Sequence, residues 1–180
     1  MQEPLWGSED RENLSPMLRR LRELADQARP ELYDFLNEQR VERARLQLRK
    51  VKNPDEPLNH RLELASELLK SGRTEEGIQY LANARQLAQN SGNQHDTPTG
   101  FPFDLLQATA YLRLGEQENC LHTHNADSCL LPISGSGIHL NPRGSRGAIP
   151  FLLNALDRNP KDLRAVWLLN LTYMTLGEYP

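Results

Sequence analysis

The residues best suited to chemistry in this 180-residue chain lie in one short segment. Both cysteines and three of the five histidines fall within 20 residues: Cys120, His122, His124, Cys129 and His139. Thiolates and imidazoles act as nucleophiles, as redox groups and as ligands for soft metals. Glycine and proline recur in the second half of the segment, which excludes a continuous helix. The sequence therefore predicts a structured loop with three possible chemical roles.

The first interpretation is a disulfide between Cys120 and Cys129. The two cysteines are nine residues apart, so the bond would close a short loop and tie the segment to the helix before it. In an oxidising compartment such a link contributes about 2–3 kcal/mol. Whether it forms depends on the separation of the two α-carbons, which the spacing does not determine.

The second interpretation is a metal site. The pattern Cys-x-His-x-His-x4-Cys offers sulfur and imidazole, which suit zinc or copper, and His139 is a further candidate ligand. The spacing matches no standard zinc-finger pattern, and the same sulfurs cannot serve both a disulfide and a metal. The third interpretation is buried cysteines with solvent-facing histidines. Cysteine–histidine catalysis lacks an acidic residue at a fixed spacing to orient the imidazole, so we expect no enzyme.

A repeated pattern of small and apolar residues surrounds the Cys/His segment. A second copy of the pattern begins around Gly115, and a third ends at Gly177. These glycines are 62 residues apart, which equals a 34-residue period plus the 28 residues that separate Cys120 from Ala148. The segment therefore interrupts one copy of the repeat. The first copy contains Leu64, Ala65, Leu68, Gly72, Gly77, Leu81 and Ala84.

Helical spacing and helix-ending residues divide the chain into units. Ser15 followed by Pro16 is a favoured helix start, so residues 1–14 are predicted to be a flexible leader. In the last apolar helix, Trp167 and Tyr173 are expected to be core or stacking residues and not ligand contacts. The predicted helical repeat domain, 15–180, comprises a degenerate helix pair at 15–53, a repeat at 58–90, a repeat at 103–160 interrupted by an insertion at 120–143, and a truncated repeat at 162–180.

Composition narrows the classes of partner. A mean hydropathy of −0.66 with 25% charged residues is typical of a soluble helical protein, and the net charge of −3 gives no general affinity for nucleic acid. No apolar run approaches the ~20 residues that span a bilayer. The polar residues 1–13 contain no secretory signal. The chain stops where a further helix is due, so we expect a fragment of a longer protein.

Residues 58–180 resemble the tetratricopeptide repeat, a helix-turn-helix unit of 34 residues. One such unit cannot bury its apolar face alone, so neighbouring units stack. The resemblance implies an all-α, tetratricopeptide-like helical-hairpin superhelix of right-handed sense, with an irregular loop insertion in one hairpin. Gln89 departs from the pattern, because a proline usually closes the unit. The likeness is carried by Gly72/Gly77/Leu81/Ala84, Ala148/Leu152/Ala155/Pro160 and Leu169/Tyr173/Gly177.

The resemblance also implies a binding function. Members of the family mostly bind peptides or partner proteins on a concave face formed by the first helices of the hairpins, and they are rarely enzymes. We therefore predict a protein-binding, peptide-binding or scaffolding module without a cofactor. The alternative is a metal-binding or redox module, with zinc or copper, centred on the Cys/His segment. The predicted contact residues of the concave face are Asn59, Glu63, Glu67, Asp104, Gln107 and Asn170.

A narrower resemblance concerns the helical region that precedes the propeller in bacterial FG-GAP/ASPIC-UnbV-type proteins. Those proteins are largely exported, and their propellers often bind calcium. The resemblance implies that the partner is a peptide, a protein segment or a downstream propeller of the same chain. It also implies an extracytoplasmic location, periplasmic or secreted, with a cytoplasmic one as the alternative. It is carried by Glu118-Asn119-Cys120, by 127–133, by Gly144-Ser145-Arg146 and by 167–180.

Overall fold

The computed structural model describes residues 14–30, 32–50, 57–90, 92, 97, 101–128 and 130–179, except for the side chains of Pro57 and His122. The regular elements in these ranges are helices, so the predicted all-α class is confirmed. They are α1 (Pro16–Gln27), α2 (Asn37–Lys50), α3 (Pro57–Lys70), α4 (Thr74–Asn90), α5 (Phe103–Thr123), a short 3-10 helix (Gly135–Gly137), α6 (Arg143–Arg158) and α7 (Leu163–Thr175).

The chain enters its first helix as the sequence predicts. The Ser15 hydroxyl accepts a hydrogen bond from the Leu18 amide at 3.3 Å, and Pro16 occupies the first turn, where no amide donor is needed. Residues 1–13 of the predicted leader lie outside the described residues. Because α1 buries none of its side chains, the predicted pair at 15–53 consists of two helices that do not form a packed hairpin.

Helices α3 and α4 form the clearest hairpin. Gly72 has a φ of +82°, the left-handed conformation that ends a helix, and the Arg73 amide donates to the Leu68 carbonyl at 2.9 Å. Across the hairpin, a Cβ on Gly77 would lie only 3.0 Å from the Leu69 side chain. A small residue at position 77 therefore brings the two helices together, as the repeat pattern predicts.

Helices α5 and α6 lie antiparallel across the interruption. The start of α6 meets the second half of α5, where Gly144 touches the backbone of Gly115. The end of α6 meets the start of α5, where Arg158 forms an ion pair with Asp104. The two helices therefore contact each other both at the loop end and at the far end of the hairpin. The inserted loop leaves their pairing intact.

The helix before the insertion runs into the predicted insertion. The sequence predicts an insertion from about residue 120 to residue 143 that is not helical throughout, and α5 continues to Thr123, so its last turn includes Cys120. The Thr123 hydroxyl donates to the Asn119 carbonyl at 2.6 Å within this turn. The loop between α5 and α6 is 124–142, and it includes the 3-10 helix Gly135–Gly137.

The helices pack in sequence order. From α2 to α7 each helix contacts the next, and α5 also touches α7. Many of the buried residues between them are alanines, which allow close approach of the helix axes. The superhelical winding implied by the repeat resemblance stays a prediction. None of the described helices is long and apolar enough to cross a bilayer. The buried clusters include Val41/Ala44/Leu64/Leu68, Ala65/Ile78/Leu81/Ala110/Leu114 and Leu105/Ala108/Ala148/Leu152/Ala155/Ala165.

Candidate binding grooves along α3, α5 and α7

The structure places the described members of the Cys/His set at three positions along α5 and the loop. Cys120 is partly buried within α5, His124 is exposed at the end of that helix, and His139 is half-buried beyond the 3-10 helix. Cys129 and the side chain of His122 lie outside the described residues, so the Cys120–Cys129 disulfide stays a prediction. Among the described side chains, no group of three or more Cys, His, Asp or Glu residues is placed to hold a metal ion. The zinc or copper hypothesis therefore depends on Cys129 and His122.

Side-chain hydrogen bonds connect the two halves of the loop. The Asn125 amide group donates to the Ser136 carbonyl at 2.8 Å, and the Ser136 hydroxyl bonds to the Asp127 carboxylate. The backbone of Gly137 lies against Asp127, since a Cβ at position 137 would lie 2.6 Å from the Asp127 carbonyl oxygen. The loop is thus a folded structure with a fixed shape.

A buried asparagine attaches the far end of the loop to α5. Asn119 is 4% exposed, and its Nδ2 donates to the carbonyl oxygens of Gly115 at 2.8 Å and Asn141 at 2.9 Å. Its Oδ1 accepts from the Asn141 amide at 2.8 Å. Sequence reasoning did not assign this role to Asn119. The one signal in the sequence that could have predicted this role is an asparagine one helical turn after Gly115, on the side of α5 that faces α6.

We expect Asn119→Ala to release the loop from α5. The substitution removes three hydrogen bonds and leaves the backbone groups of Asn141 unpaired, at a cost of about 1–3 kcal/mol. Hydrogen exchange should accelerate for amides 138–141, while those of α3 and α4 stay protected. Asn154→Ala, on the exposed side of α6, is the matched control. Unchanged exchange at 138–141 in Asn119→Ala would contradict the assignment.

A second attachment joins the loop to α7 through His139. Its backbone amide donates to the Thr175 carbonyl at 2.9 Å, and its Nδ1 lies 3.4 Å from the Ser145 hydroxyl. Ser145 and Thr175 share a hydroxyl hydrogen bond of 2.8 Å. Burial lowers the pKa of His139 below its usual value, so the ring is neutral at neutral pH. Ser145 is fully buried, so these hydrogen bonds hold the loop against α6 and α7 from within the packed structure.

Between α5, α7 and the loop lies a groove, here called groove 1, with a volume of about 530 Å³. Its wall is mainly apolar and includes Trp167. The sequence predicts a core or stacking residue at this position, but Trp167 is 55% exposed and therefore lies outside the core. Leu121 of α5 and Leu131 of the loop also line the groove and are 75% and 60% exposed. Cys120 and His139 also line the groove. Arg113 and Glu116 are its charged residues, with their side chains 3.5 Å apart.

A second groove, groove 2, lies between α3, the start of α5 and Phe101. Its volume is about 510 Å³, and Leu62, Leu69 and Leu106 form much of its wall. Two predicted contact residues, Asn59 and Glu63, are exposed and line this groove. A third, Asn170, is exposed on α7 and lines a smaller hollow of about 240 Å³ next to groove 1.

The other three predicted contact residues are buried, which corrects their placement on an open face. Glu67 is 4% exposed, and its carboxylate bonds to the Arg40 guanidinium at 2.8 and 2.9 Å; this hydrogen bonding lowers the pKa of Glu67. Asp104 is fully buried between arginines of α4 and α6. Gln107 Nε2 donates to the Ile78 carbonyl at 3.3 Å. Helical spacing assigns these residues to first helices, but each side chain points to a neighbouring helix.

Comparison of the chain with protein-family models, with curated proteins and with solved structures gives no match. The resemblances to the tetratricopeptide repeat and to the helical region before a bacterial propeller therefore stay predictions.

Proposed function

We propose that this chain is a helical-hairpin module that binds a peptide or a protein segment. The observation that carries the proposal is groove 1, where α5, α7 and the loop 124–142 form one concave apolar surface. Apolar concavities with a few polar groups at the edge are the usual form of a binding site.

The exposed apolar side chains around groove 1 support a partner that covers them. Trp167 presents a large aromatic surface, and tryptophan is among the residues that contribute most when buried in an interface. Leu121 and Leu131 extend that surface on either side. Contiguous exposed apolar area of this kind is typical of interaction sites. The partner's chemistry follows: an apolar anchor side chain packs on Trp167.

The two grooves share α5, which suggests the path of a longer ligand. Groove 2 opens between α3 and the start of α5, and groove 1 between the end of α5 and α7. Polar side chains are available at both: Asn59 and Glu63 at groove 2, and Arg113 and Glu116 at groove 1. They suit the backbone amides and carbonyls of a bound segment, while apolar side chains enter the grooves.

The tetratricopeptide resemblance supports the same proposal, because it places peptide recognition on the first helices of the hairpins. We extend the proposal to two kinds of occupant, a separate peptide segment or a downstream propeller of the same chain. In keeping with the narrower resemblance, we propose an extracytoplasmic setting and a role in recognition without catalysis.

The proposal is tested by selecting ligands from a displayed library of random peptides against the full chain. Binding of an enriched peptide is then measured by fluorescence anisotropy. We expect Trp167→Ala to lower the affinity for the selected peptide by about tenfold or more, since a central aromatic anchor contributes about 2 kcal/mol to binding. Thermal melting of this variant should stay close to that of the unchanged protein, because Trp167 is more than half exposed.

Leu163→Ala is the matched control for this experiment. Leu163 lies on the same helix, is 79% exposed and does not line groove 1. The variant should bind the selected peptide as tightly as the unchanged protein. Failure to enrich any peptide, or equal loss of binding in the two variants, would reject groove 1 as the binding site.

A further inference from the structure

The first helix presents an apolar face that no described part of the chain covers. Met17, Leu18, Leu21 and Leu24 are 48–68% exposed, and α1 buries none of its side chains. Apolar and polar residues are divided between opposite faces of the helix more completely in α1 than in the other described helices. A helix of a packed hairpin buries such a face, whereas a helix at a lipid–water interface leaves it open in the free protein.

We propose that α1 binds the surface of an anionic lipid bilayer. The helix lies in the plane of the headgroups, with Leu18, Leu21 and Leu24 inserted between the acyl chains. This activity is separate from the peptide grooves, which lie along α3, α5 and α7.

The charges of α1 are arranged as this orientation requires. With roughly 100° of rotation per residue, Arg20 and Arg22 border the leucine face on its two sides, while Arg19, Glu23 and Asp26 lie on the opposite side. Arg20 also forms an ion pair with Glu23 at 3.0 Å, so Arg22 is the bordering arginine better placed to meet a lipid phosphate. Arginine side chains in the bordering position extend along the apolar surface and place their guanidinium groups at the level of the lipid phosphates. The acidic residues face water, where they do not repel the membrane.

Arg22 gives a separate indication of an anionic ligand. Its side chain lines a shallow apolar hollow together with Leu18, Leu21 and Ala25. Its Nη1 is shielded from solvent and has no hydrogen-bond partner among the described residues. On a membrane the partly exposed Arg22 side chain turns its guanidinium from the hollow toward a lipid phosphate, which supplies the missing acceptor, since guanidinium groups bind phosphate oxygens in pairs.

The charge of the surrounding sequence agrees with an anionic surface. Residues 14–30 contain four arginines against two acidic residues, a net charge of +2 in a chain whose total is −3. Basic residues of α2 such as Arg40 and Arg45 are not counted, because they pair with Glu67 and Glu76. The segment after α1 adds exposed Leu32, Tyr33 and Phe35, and the two aromatic rings pack 5.5 Å apart. Aromatic side chains are favoured at the level of the headgroups.

A second copy of the chain fits this face less well. A symmetric dimer through α1 would bring Arg20 and Arg22 of both copies to one interface, and like charges there are unfavourable. The 12 residues of α1 are also few for a stable pair of helices in water. A lipid surface offers both the apolar interior and the negative charge.

The test is co-sedimentation of the full chain with vesicles. Vesicles of phosphatidylcholine mixed with phosphatidylglycerol should bind the chain, and vesicles of phosphatidylcholine alone should bind it far less. Added salt should weaken the binding, because it screens the arginines. We expect Leu21→Glu to reduce binding to the mixed vesicles by about tenfold or more. Arg22→Gln should reduce the preference for the anionic vesicles.

Leu153→Glu is the matched control, because Leu153 is 44% exposed on α6 and distant in sequence from α1. It should sediment with the mixed vesicles like the unchanged protein. Since α1 buries no side chain, Leu21→Glu should also keep the melting temperature, which separates lost binding from lost folding. The proposal is overturned by equal binding to both vesicle types, by full binding of Leu21→Glu, or by no binding at all. A concentration-dependent dimer that Leu21→Glu abolishes, without vesicle binding, would identify a second copy as the partner.

Discussion

Gly144→Ala is expected to destabilise the protein by about 3 kcal/mol, because the substitution forces α5 and α6 apart. A Cβ at position 144 would lie 2.5 Å from Gly115 Cα and 2.6 Å from the Tyr111 carbonyl oxygen. Both are backbone atoms of a helix and cannot move out of the way as a side chain does. For a chain of this size the melting temperature should fall by about 6–12 °C, measurable by circular dichroism.

Gly115→Ala is the matched control at the same helix crossing. Its Cβ would lie 3.5 Å from the His139 ring, an ordinary contact distance, so no displacement is needed. Alanine also favours the helix interior over glycine by about 0.5–1 kcal/mol, so this variant should melt at or slightly above the original temperature. Equal melting temperatures for the two alanine variants would show that α5 and α6 do not approach each other closely at Gly144.

Asp104→Asn is expected to cost about 2–4 kcal/mol. The fully buried carboxylate lies between Arg85 on α4 and Arg158 on α6, so it connects three helices. Arg85 Nη1 is 2.8 Å from Asp104 Oδ1 but does not donate a hydrogen bond to it, so this contact is ionic. Asparagine keeps the shape and removes the charge, which leaves two guanidinium groups facing each other. The cost is below that of a fully buried pair because both arginines are partly exposed.

Chemical denaturation measures this effect, with Asp157→Asn as the control. Asp157 lies on the exposed side of α6, next to Arg158 in sequence, and its substitution should change the free energy of unfolding by less than about 0.5 kcal/mol. A double variant, Asp104→Asn with Arg158→Met, should lose less than the sum of the single losses, since the two residues form one pair. Strict additivity would show that Asp104 and Arg158 do not interact.

The repeat pattern predicted the hairpins because its glycines and other small residues lie where a helix ends and where two helices touch. Gly72 ends α3 in the left-handed conformation, and Gly77 lies where α4 meets α3. The turn at Gly72 depends on that residue alone, and the close contact of Gly77 is with Leu69, eight residues earlier. Residue type and spacing are therefore enough to predict both. The same holds for Ser15 and Pro16 at the start of α1. The end of α5 was predicted too early, because no residue before Pro132 forbids helix and the choice is left to tertiary contacts.

The contact residues of a binding face could be predicted only in part. Asn59, Glu63 and Asn170 are exposed, as the prediction requires. Glu67 and Asp104 are just as polar, yet each is buried against arginines from other helices. Helical spacing gives the direction of a side chain relative to its own helix. It does not show that Arg40 or Arg158 will approach from a distant part of the chain.

By itself the sequence determined the all-α class, the start of α1 at Ser15 and Pro16, and the glycine turn that ends α3, because each depends on residues within a few turns of one another. Only the tertiary structure decided which polar residues are internal, how Asn119 and His139 hold the loop, and that Trp167 faces a groove. Those features arise where helices far apart in sequence meet, and their geometry depends on distances that spacing along one helix does not contain.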